Sequence, residues 1–154
     1  MSFSHINHLG KAIMVNVVGK SPTVRTARAY GEIQVPKNVF NSVVENTVVK
    51  GDVIAVSRLA GIMGAKKTSD LIPLCHPLNI QGISVDIVPV EPNTFKIYSE
   101  VSIYSNTGVE MEALTAVNIT GLAFYDMCKA ISKDIVINNI RLLGKTGGKS
   151  ELSN

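Results

Sequence analysis

Residues 83–103 read ISVDIVPVEPNTFKIYSEVSI, and this stretch decides the fold. Apolar residues alternate with polar ones on both sides of the turn signal Glu91-Pro92-Asn93. A period of two is typical of a strand with one buried face, and a short turn makes two such strands antiparallel neighbours. The stretch therefore predicts an antiparallel hairpin.

Helical spacing appears in three other places. The longest helix is predicted over residues 109–132, where Gly121 and Cys128 fill an apolar seam that otherwise consists of Leu114, Val117, Phe124 and Ile131. Shorter helices are predicted over residues 36–45 and 52–67, the second with Asp52 as its N-cap. One face of that second helix carries Val53, Val56, Leu59, Ala60 and Met63.

Further strands are predicted over residues 14–18, 30–35 and 135–143. Two prolines make residues 70–78 a stiff surface loop, because each restricts the residue before it to extended geometry. Helices and strands in this order favour an α+β sandwich, in which helices cover one face of a largely antiparallel sheet. We expect one domain over residues 1–154, with flexible ends at 1–12 and 144–154.

Composition limits the class of protein. Of 154 residues, 45% are apolar and 18% are charged, which is ordinary for a globular domain. The two cysteines are far apart and lack metal or dithiol spacing, which favours a reducing compartment, and no apolar run is long enough for a membrane span. A cytoplasmic protein with no membrane partner is expected. The net charge of +3 does not strongly indicate nucleic acid.

The glycine-rich segment 144–150 resembles a phosphate loop, but its spacing is wrong. Gly144 precedes Gly148 by one residue too few for a Walker motif, and no helix follows. Two interpretations stay open. The segment is a solvated mobile end, or Lys145 and Lys149 fold over an anionic ligand.

His76 lies between Pro73 and Pro77, which reduce the entropy lost in holding its side chain in a working position. Histidine is the side chain type that changes charge near neutral pH, so His76 is a candidate for proton transfer, although a structural hydrogen bond explains such a histidine equally well. Nothing in the sequence indicates a stabilised thiolate at Cys75, which is interpreted as a packing residue.

Asp126 and Lys129 lie three residues apart on one helix face. They form either a surface ion pair or an acid/base pair, and in the second case partial burial brings the proton affinity of the lysine closer to working pH. Glu112 lies 14 residues before Asp126, a distance of ~21 Å along a straight helix. The two carboxylates therefore serve opposite ends of a ligand or meet across two subunits.

Four uncommon strings occur in order: DLIPLCHPL at 70–78, TGVEMEALTA at 107–116, YDMCK at 125–129 and KTGGKS at 145–150. With KGDV at 50–53 and RLAG at 58–61, they resemble the cyclic pyranopterin monophosphate synthase family over nearly the whole chain. The resemblance implies a ferredoxin-like fold, a hexamer built from dimers, and active sites between subunits. It implies a lyase of molybdenum cofactor biosynthesis that converts (8S)-3',8-cyclo-7,8-dihydroguanosine 5'-triphosphate to cyclic pyranopterin monophosphate and pyrophosphate.

The resemblance also implies roles for particular residues. Asp126 and Lys129 match the catalytic pair, and His76 and Lys50 are assigned to catalysis with them. The residues expected to bind substrate are Leu74, Cys75, His76, Met111, Glu112, Lys66, Arg25, Lys145 and Lys149. No resident cofactor is expected, and a magnesium ion carried by the triphosphate is the alternative to charge neutralisation by these cations.

One position departs from the family pattern, because Asn16 stands where the family typically has aspartate. Asn16 is therefore left out of the catalytic set. The rival functions are a non-catalytic nucleotide-binding or RNA-binding module and a structural oligomer subunit. Few aromatic residues and no tryptophan argue against the first. The second leaves the His76 loop and the Asp126 and Lys129 pair without a purpose.

Overall fold

The computed structural model describes residues 6–148, 150 and 152–153. Its elements are β1 (Thr23–Gln34), α1 (Lys37–Val44), α2 (Val53–Ala65), α3 (Thr68–Leu71), β2 (Gly82–Val90), β3 (Thr94–Ser105), α4 (Glu110–Cys128), β4 (Val136–Thr146) and β5 (Leu152–Ser153). The strands form one sheet in the order β2-β3-β1-β4-β5, and these neighbours pair antiparallel. Strands β1 to β4, with helices after β1 and β3, have the ferredoxin-like order. The predicted α+β sandwich and the antiparallel hairpin of β2 and β3 are confirmed.

The core lies between the sheet and the helices. Alternate residues of β1 and β3 point towards the helices, as the period of two in the sequence predicts. Phe95 of β3 is fully buried and contacts Phe40 of α1 and Phe124 of α4, with ring centroids 5.0 and 4.9 Å apart. Burial of one such ring contributes ~1.5–3 kcal/mol. These contacts fix the position of α4 on the sheet.

Helix α4 packs on β1, β3 and β4 of the sheet and also along α2, which lies beside it and contacts β2, so α4 is buried on two sides. The contact with α2 depends on glycine. A Cβ atom at Gly61 would overlap the Thr120 hydroxyl and lie 2.9 Å from the carbonyl oxygen of Ala116, and one at Gly64 would lie 2.6 Å from Ile119. Side chains of α4 therefore pack directly against the backbone of α2 at these two glycines.

The apolar face predicted for α2 lies mostly on the outside. Val56, Leu59 and Met63 are 44%, 59% and 59% exposed, although Val53 is buried. The inner side of α2 is otherwise made of small residues: Ser57, Gly61, Gly64 and Ala65. Periodicity identifies an apolar stripe, but it does not say what that stripe packs against.

Several boundaries differ from the sequence predictions. Strand β1 begins at Thr23 rather than at residue 30, and α4 ends at Cys128 rather than at residue 132. Residues 14–18 form no strand, because the chain there runs extended without a neighbouring strand, and the predicted loop 70–78 begins inside α3. Strand β4 continues to Thr146 and pairs with β5, so residues 144–146 belong to the sheet rather than to a flexible tail. Gly147, with φ +79°, permits the turn that brings the chain back to pair with β4.

No helix in the described ranges is long and apolar enough to cross a membrane.

We predict that Gly61→Ala lowers the free energy of unfolding by about 1–3 kcal/mol, because the added methyl group overpacks the contact between α2 and α4. Alanine is otherwise favoured over glycine inside a helix, so a loss of stability isolates the packing effect. Urea denaturation at one fixed protein concentration measures it. Lys67→Ala, an exposed residue in the connection just after α2, is the control and changes stability by less than about 0.5 kcal/mol. A neutral or stabilising Gly61→Ala would contradict the tight contact.

Candidate active site

A cavity of about 480 Å³ lies at the N-terminal end of α4. Five separate parts of the chain form its wall, including an extended segment that we call the strap, residues 14–20. The cavity brings together seven of the predicted substrate-binding residues: Arg25, Leu74, Cys75, His76, Met111, Glu112 and Lys145. These positions are up to 120 residues apart in sequence, so the fold is what gathers them.

His76 is held by the strap. Its Nε2 lies 2.8 Å from the carbonyl oxygen of Val15. A carbonyl oxygen only accepts hydrogen bonds, so Nε2 carries the hydrogen and donates it, which leaves Nδ1 of a neutral imidazole as an acceptor. His76 therefore makes the hydrogen bond expected of a structural histidine. Its second ring nitrogen can also accept a proton, as expected of a proton-transfer residue.

Glu112 is the most deeply buried carboxylate of the cavity, with 4% of its surface exposed. Burial raises the pKa of its carboxyl group, and the charge of Glu110 raises it further. Burial, and then the charge of Glu112, raise the pKa of the Cys75 thiol. Cys75 is therefore held as a thiol, which agrees with its interpretation as a packing residue rather than a nucleophile.

Cations gather at one end of this cavity. Lys20 of the strap, Arg25 of β1 and Lys145 of β4 line it, and all three also line an adjoining cavity of about 210 Å³. Lys145 pairs with Glu110 at 3.0 Å, and Nε of Arg25 donates to the carbonyl oxygen of Ser105 at 3.0 Å. Three cations against one paired carboxylate favour an anionic ligand. Lys149, predicted for the same role, lies outside the described residues.

Lys66 follows α2 and lines a small neighbouring cavity that also contacts His76 and Glu112. It therefore lies beside the main cavity, not in its wall. Sequence reasoning missed Lys20, Asn106 and Glu110 as parts of this site. No local pattern distinguishes them from surface residues, and only the contact of the strap with the β3–α4 connection reveals them.

The predicted catalytic residues Lys50, Asp126 and Lys129 form a second cluster. Nζ of Lys129 lies 2.6 Å from Oδ1 of Asp126, and Nζ of Lys50 lies 3.1 Å from Oδ2. Lys50 also donates to the backbone carbonyl oxygen of Asp126 at 2.7 Å. Sequence spacing predicted the pair of Asp126 and Lys129, whereas Lys50, 76 residues before Asp126, was assigned to catalysis only by resemblance.

The charges of this cluster are stabilised in solvent. Hydrogen bonds from Lys129 and then Lys50 lower the pKa of the Asp126 carboxyl, and Asp126 raises the pKa of Lys129. The suggestion that partial burial brings the lysine closer to working pH is therefore wrong for a single protomer. About half of each lysine side chain is exposed, so burial has little effect on the ammonium.

The two clusters lie at opposite ends of α4. Glu112 is in its first turn and Asp126 in its last, ~21 Å apart along the helix axis. Asn16, on the strap, accepts a hydrogen bond from the backbone N–H of Val18 at 2.9 Å. The chain therefore carries two separate groups of predicted site residues, which we call the half-sites: the cationic cavity and the exposed acid and amine cluster.

Throughout the described ranges, no group of three or more His, Cys, Asp and Glu side chains is arranged to hold a metal ion.

We predict that Lys129→Met raises the pKa of Asp126 towards its ordinary value, and that Lys50→Met raises it by less, because the Lys129 hydrogen bond is the larger cause. Carboxyl carbon NMR titration measures both shifts. The pKa of Asp126 is lowered in the folded state, so the stabilisation by this cluster is present above the unfolded pKa and is lost as pH falls through the folded value. Lys67→Met, whose lysine pairs with Asp70, is the control. An unchanged Asp126 pKa in Lys129→Met would contradict the cluster.

Comparison with known proteins covers almost the whole chain. Relatives named cyclic pyranopterin monophosphate synthase include one from Clostridium botulinum (strain Alaska E43 / Type E3), 53% identical over 96% of this chain and 94% of its own. A second, from Heliobacterium modesticaldum, is 50% identical over 96% and 93% of the two chains, and a third, from Desulfitobacterium hafniense, is 47% identical over 97% and 92%. Residues 14–148 match the sequence model of the MoaC family. Both half-sites fall within the matched residues, and the chain belongs to the MoaC family.

Proposed function

We propose that this protein is a cyclic pyranopterin monophosphate synthase, a lyase of molybdenum cofactor biosynthesis. It converts (8S)-3',8-cyclo-7,8-dihydroguanosine 5'-triphosphate to cyclic pyranopterin monophosphate and releases pyrophosphate. The observation that carries this proposal is the agreement between the full-length relatives and the chemistry of the cavity. A cationic cavity containing an imidazole and a buried carboxyl suits a polyphosphorylated heterocycle.

The phosphate chemistry is assigned to the cations. A ribose hydroxyl attacks the α-phosphate while negative charge develops on the departing pyrophosphate, and fixed positive groups lower the energy of that transition state. Arg25 and Lys145, with Lys20 beside them, supply these groups, and Lys66 lies at the neighbouring edge. The alternative, that a magnesium ion carried by the triphosphate meets part of this charge, belongs to the same proposal.

Proton transfers are assigned to His76, Asp126 and Lys129. Opening and reclosing the purine-derived ring requires protons to move at nitrogen and oxygen, which suits an imidazole with a free Nδ1 and a paired carboxylate and ammonium. Lys50 orients Asp126 through its two hydrogen bonds. Leu74, Cys75, Met111 and Glu112 provide the walls that contact the heterocycle.

These assignments require two protomers. One ligand cannot touch both half-sites of one chain, because α4 separates them by ~21 Å. An antiparallel pairing of two protomers along their helix layers would bring the Asp126 end of one α4 to the Glu112 end of the other. We propose this two-fold dimer, three of which form a hexamer.

The surface needed for such pairing exists. Exposed apolar side chains from α2 and α4 lie on the outer side of the helix layer: Val56, Leu59, Met63, Met111 and Leu122. Arg58 is the one charged residue of α2, and a helix with apolar residues on most sides is normally buried. A second copy of the chain is the occupant, because it alone also completes the site.

Burial between protomers would change the chemistry of Lys129. Asp126 raises its pKa in a single protomer, but removal of water by a partner adds desolvation, which lowers the pKa of an amine. Assembly therefore moves Lys129 towards the range in which it exchanges protons. Both cysteines are free thiols, which suits the proposed site of action in the reducing cytoplasm.

We predict that Asp126→Asn and Lys129→Ala each abolish pyrophosphate release from the cyclised substrate, while folding and assembly persist. Both residues are exposed in the protomer, so neither change removes core packing. Coupled pyrophosphate assays measure turnover, and circular dichroism with sedimentation checks fold and assembly. Asp86→Asn, on the outer face of β2, and Lys37→Ala, at the start of α1, are matched controls that keep full turnover. Normal turnover in either test variant would remove that residue from the mechanism.

We predict that inactive Glu112→Ala and Lys129→Ala proteins regain activity when their subunits exchange. In a mixed dimer one site carries both substitutions and the other carries neither, so random exchange restores about a quarter of wild-type activity. Mass spectrometry of isotopically labelled subunits confirms the exchange. Complete exchange without any return of activity would rule out a site shared between protomers.

A further inference from the structure

The strap has few connections to the rest of the fold. Its side chains alternate like those of a strand, with Val15 and Val17 half-buried against the cavity and Asn16 and Val18 exposed. Yet it joins no sheet, and its backbone hydrogen bond within the described residues is a turn contact from Lys20 N–H to Val17. Such a segment has little intrinsic stability, so side chains from elsewhere must hold it.

Two side chains do so, from two different walls of the cavity. His76 donates to the carbonyl oxygen of Val15, and Nδ2 of Asn106 donates to the carbonyl oxygen of Val17 at 3.0 Å. Asn106 lies in the connection between β3 and α4, and it is itself oriented, because its Oδ1 accepts from the hydroxyl of Ser105 at 3.4 Å. Of the two contacted positions on the strap, Val17, which Asn106 holds, is nearer to Lys20 in sequence.

The strap ends at Lys20, which lines both cavities with Arg25 and Lys145. Arg25 is fixed by β1 and by its bond to Ser105, and Lys145 is fixed by β4 and Glu110. Lys20 has no regular element behind it. Its position depends on the carbonyl oxygen of Val17, which accepts from both Lys20 N–H and Asn106.

We propose that Asn106 is a positioning residue that holds the strap so that Lys20 faces the pyrophosphate portion of the ligand. This inference rests on the proposed function for the identity of the substrate. Asn106 acts through Lys20 and does not touch the reacting atoms. Its loss leaves the strap with the Val15 tether alone, so Lys20 must be ordered at the moment of binding and affinity falls.

A double-mutant cycle with inorganic pyrophosphate, measured by titration calorimetry, tests the coupling. Lys20→Ala is expected to weaken pyrophosphate binding about tenfold to a hundredfold, because a charge-assisted hydrogen bond is lost. Asn106→Ala is expected to weaken it about threefold to tenfold. Added to Lys20→Ala, the second change has no further effect beyond about twofold, because the group that Asn106 positions is already absent. Independent effects that multiply would overturn the inference.

Steady-state kinetics with the cyclised substrate separate positioning from a structural role. Asn106→Ala is expected to raise KM by the same factor, because the triphosphate is bound less tightly, and also to lower kcat, because Lys20 stabilises the charge that develops on the departing pyrophosphate. Asn106→Leu keeps the approximate size of the side chain without a charge or a hydrogen-bond donor, and it should behave like alanine. Asn7→Ala, which removes an asparagine that caps only Leu9 and Lys11, is the control and leaves both constants unchanged.

The outcomes distinguish the two proposals. A lower thermal midpoint in Asn106→Ala with unchanged KM and unchanged pyrophosphate affinity would overturn the positioning role and leave the proposed function intact. Absence of turnover in the wild-type protein would rule out the proposed function. The calorimetric cycle with pyrophosphate would still test the coupling between Asn106 and Lys20.

Discussion

The length of α4 is the constraint on which the account depends. A helix of 19 residues is rigid on the scale of a ligand, and it is fixed to the sheet by the phenylalanine contacts and to α2 by the glycine contacts. Glu112 in its first turn is therefore held ~21 Å along the helix axis from Asp126 in its last turn. Because α4 is rigid, bending of the chain cannot bring the cationic cavity and the Asp126 cluster together. In the proposed dimer, a second protomer would bring them together.

The two half-sites differ in their electrostatics. The cavity buries a carboxyl, Glu112, whose pKa is raised, next to cations that remain available to an anion. The far cluster keeps its charges in water, where ion pairing lowers the pKa of Asp126 and raises that of Lys129. In the proposed dimer, an interface that covered the second cluster would change it from a surface ion pair into a group able to exchange protons. Assembly would then be part of the chemistry and would also add stability.

Local patterns in the sequence predicted most of the fold. Period-two alternation predicted the β2–β3 hairpin, and Asp52 was correctly identified as an N-cap, since its side chain accepts from the N–H of Ala55. The exceptions share one cause. A period-two pattern or an apolar stripe does not indicate which part of the chain it packs against. The strap has the pattern of a strand but meets side chains instead of a strand, and the stripe on α2 faces outward.

The site was less predictable than the fold. Spacing paired Asp126 with Lys129, and prolines marked the His76 loop, but the assignment of Lys50 and Arg25 came only from resemblance to a family. No sequence pattern indicated Lys20 or Asn106. Their importance arises from the hydrogen bond between Asn106 and Val17, which are 89 positions apart. Long-range contacts of this kind follow from the packed fold.

A crystal structure of the assembled protein with bound substrate tests the central claim most directly. We expect one ligand to lie within hydrogen-bonding reach, about 3 Å, of His76 or Arg25 from one protomer and of Asp126 or Lys129 from another. A ligand enclosed by the cavity of a single protomer, with every Asp126 cluster facing solvent, would contradict it.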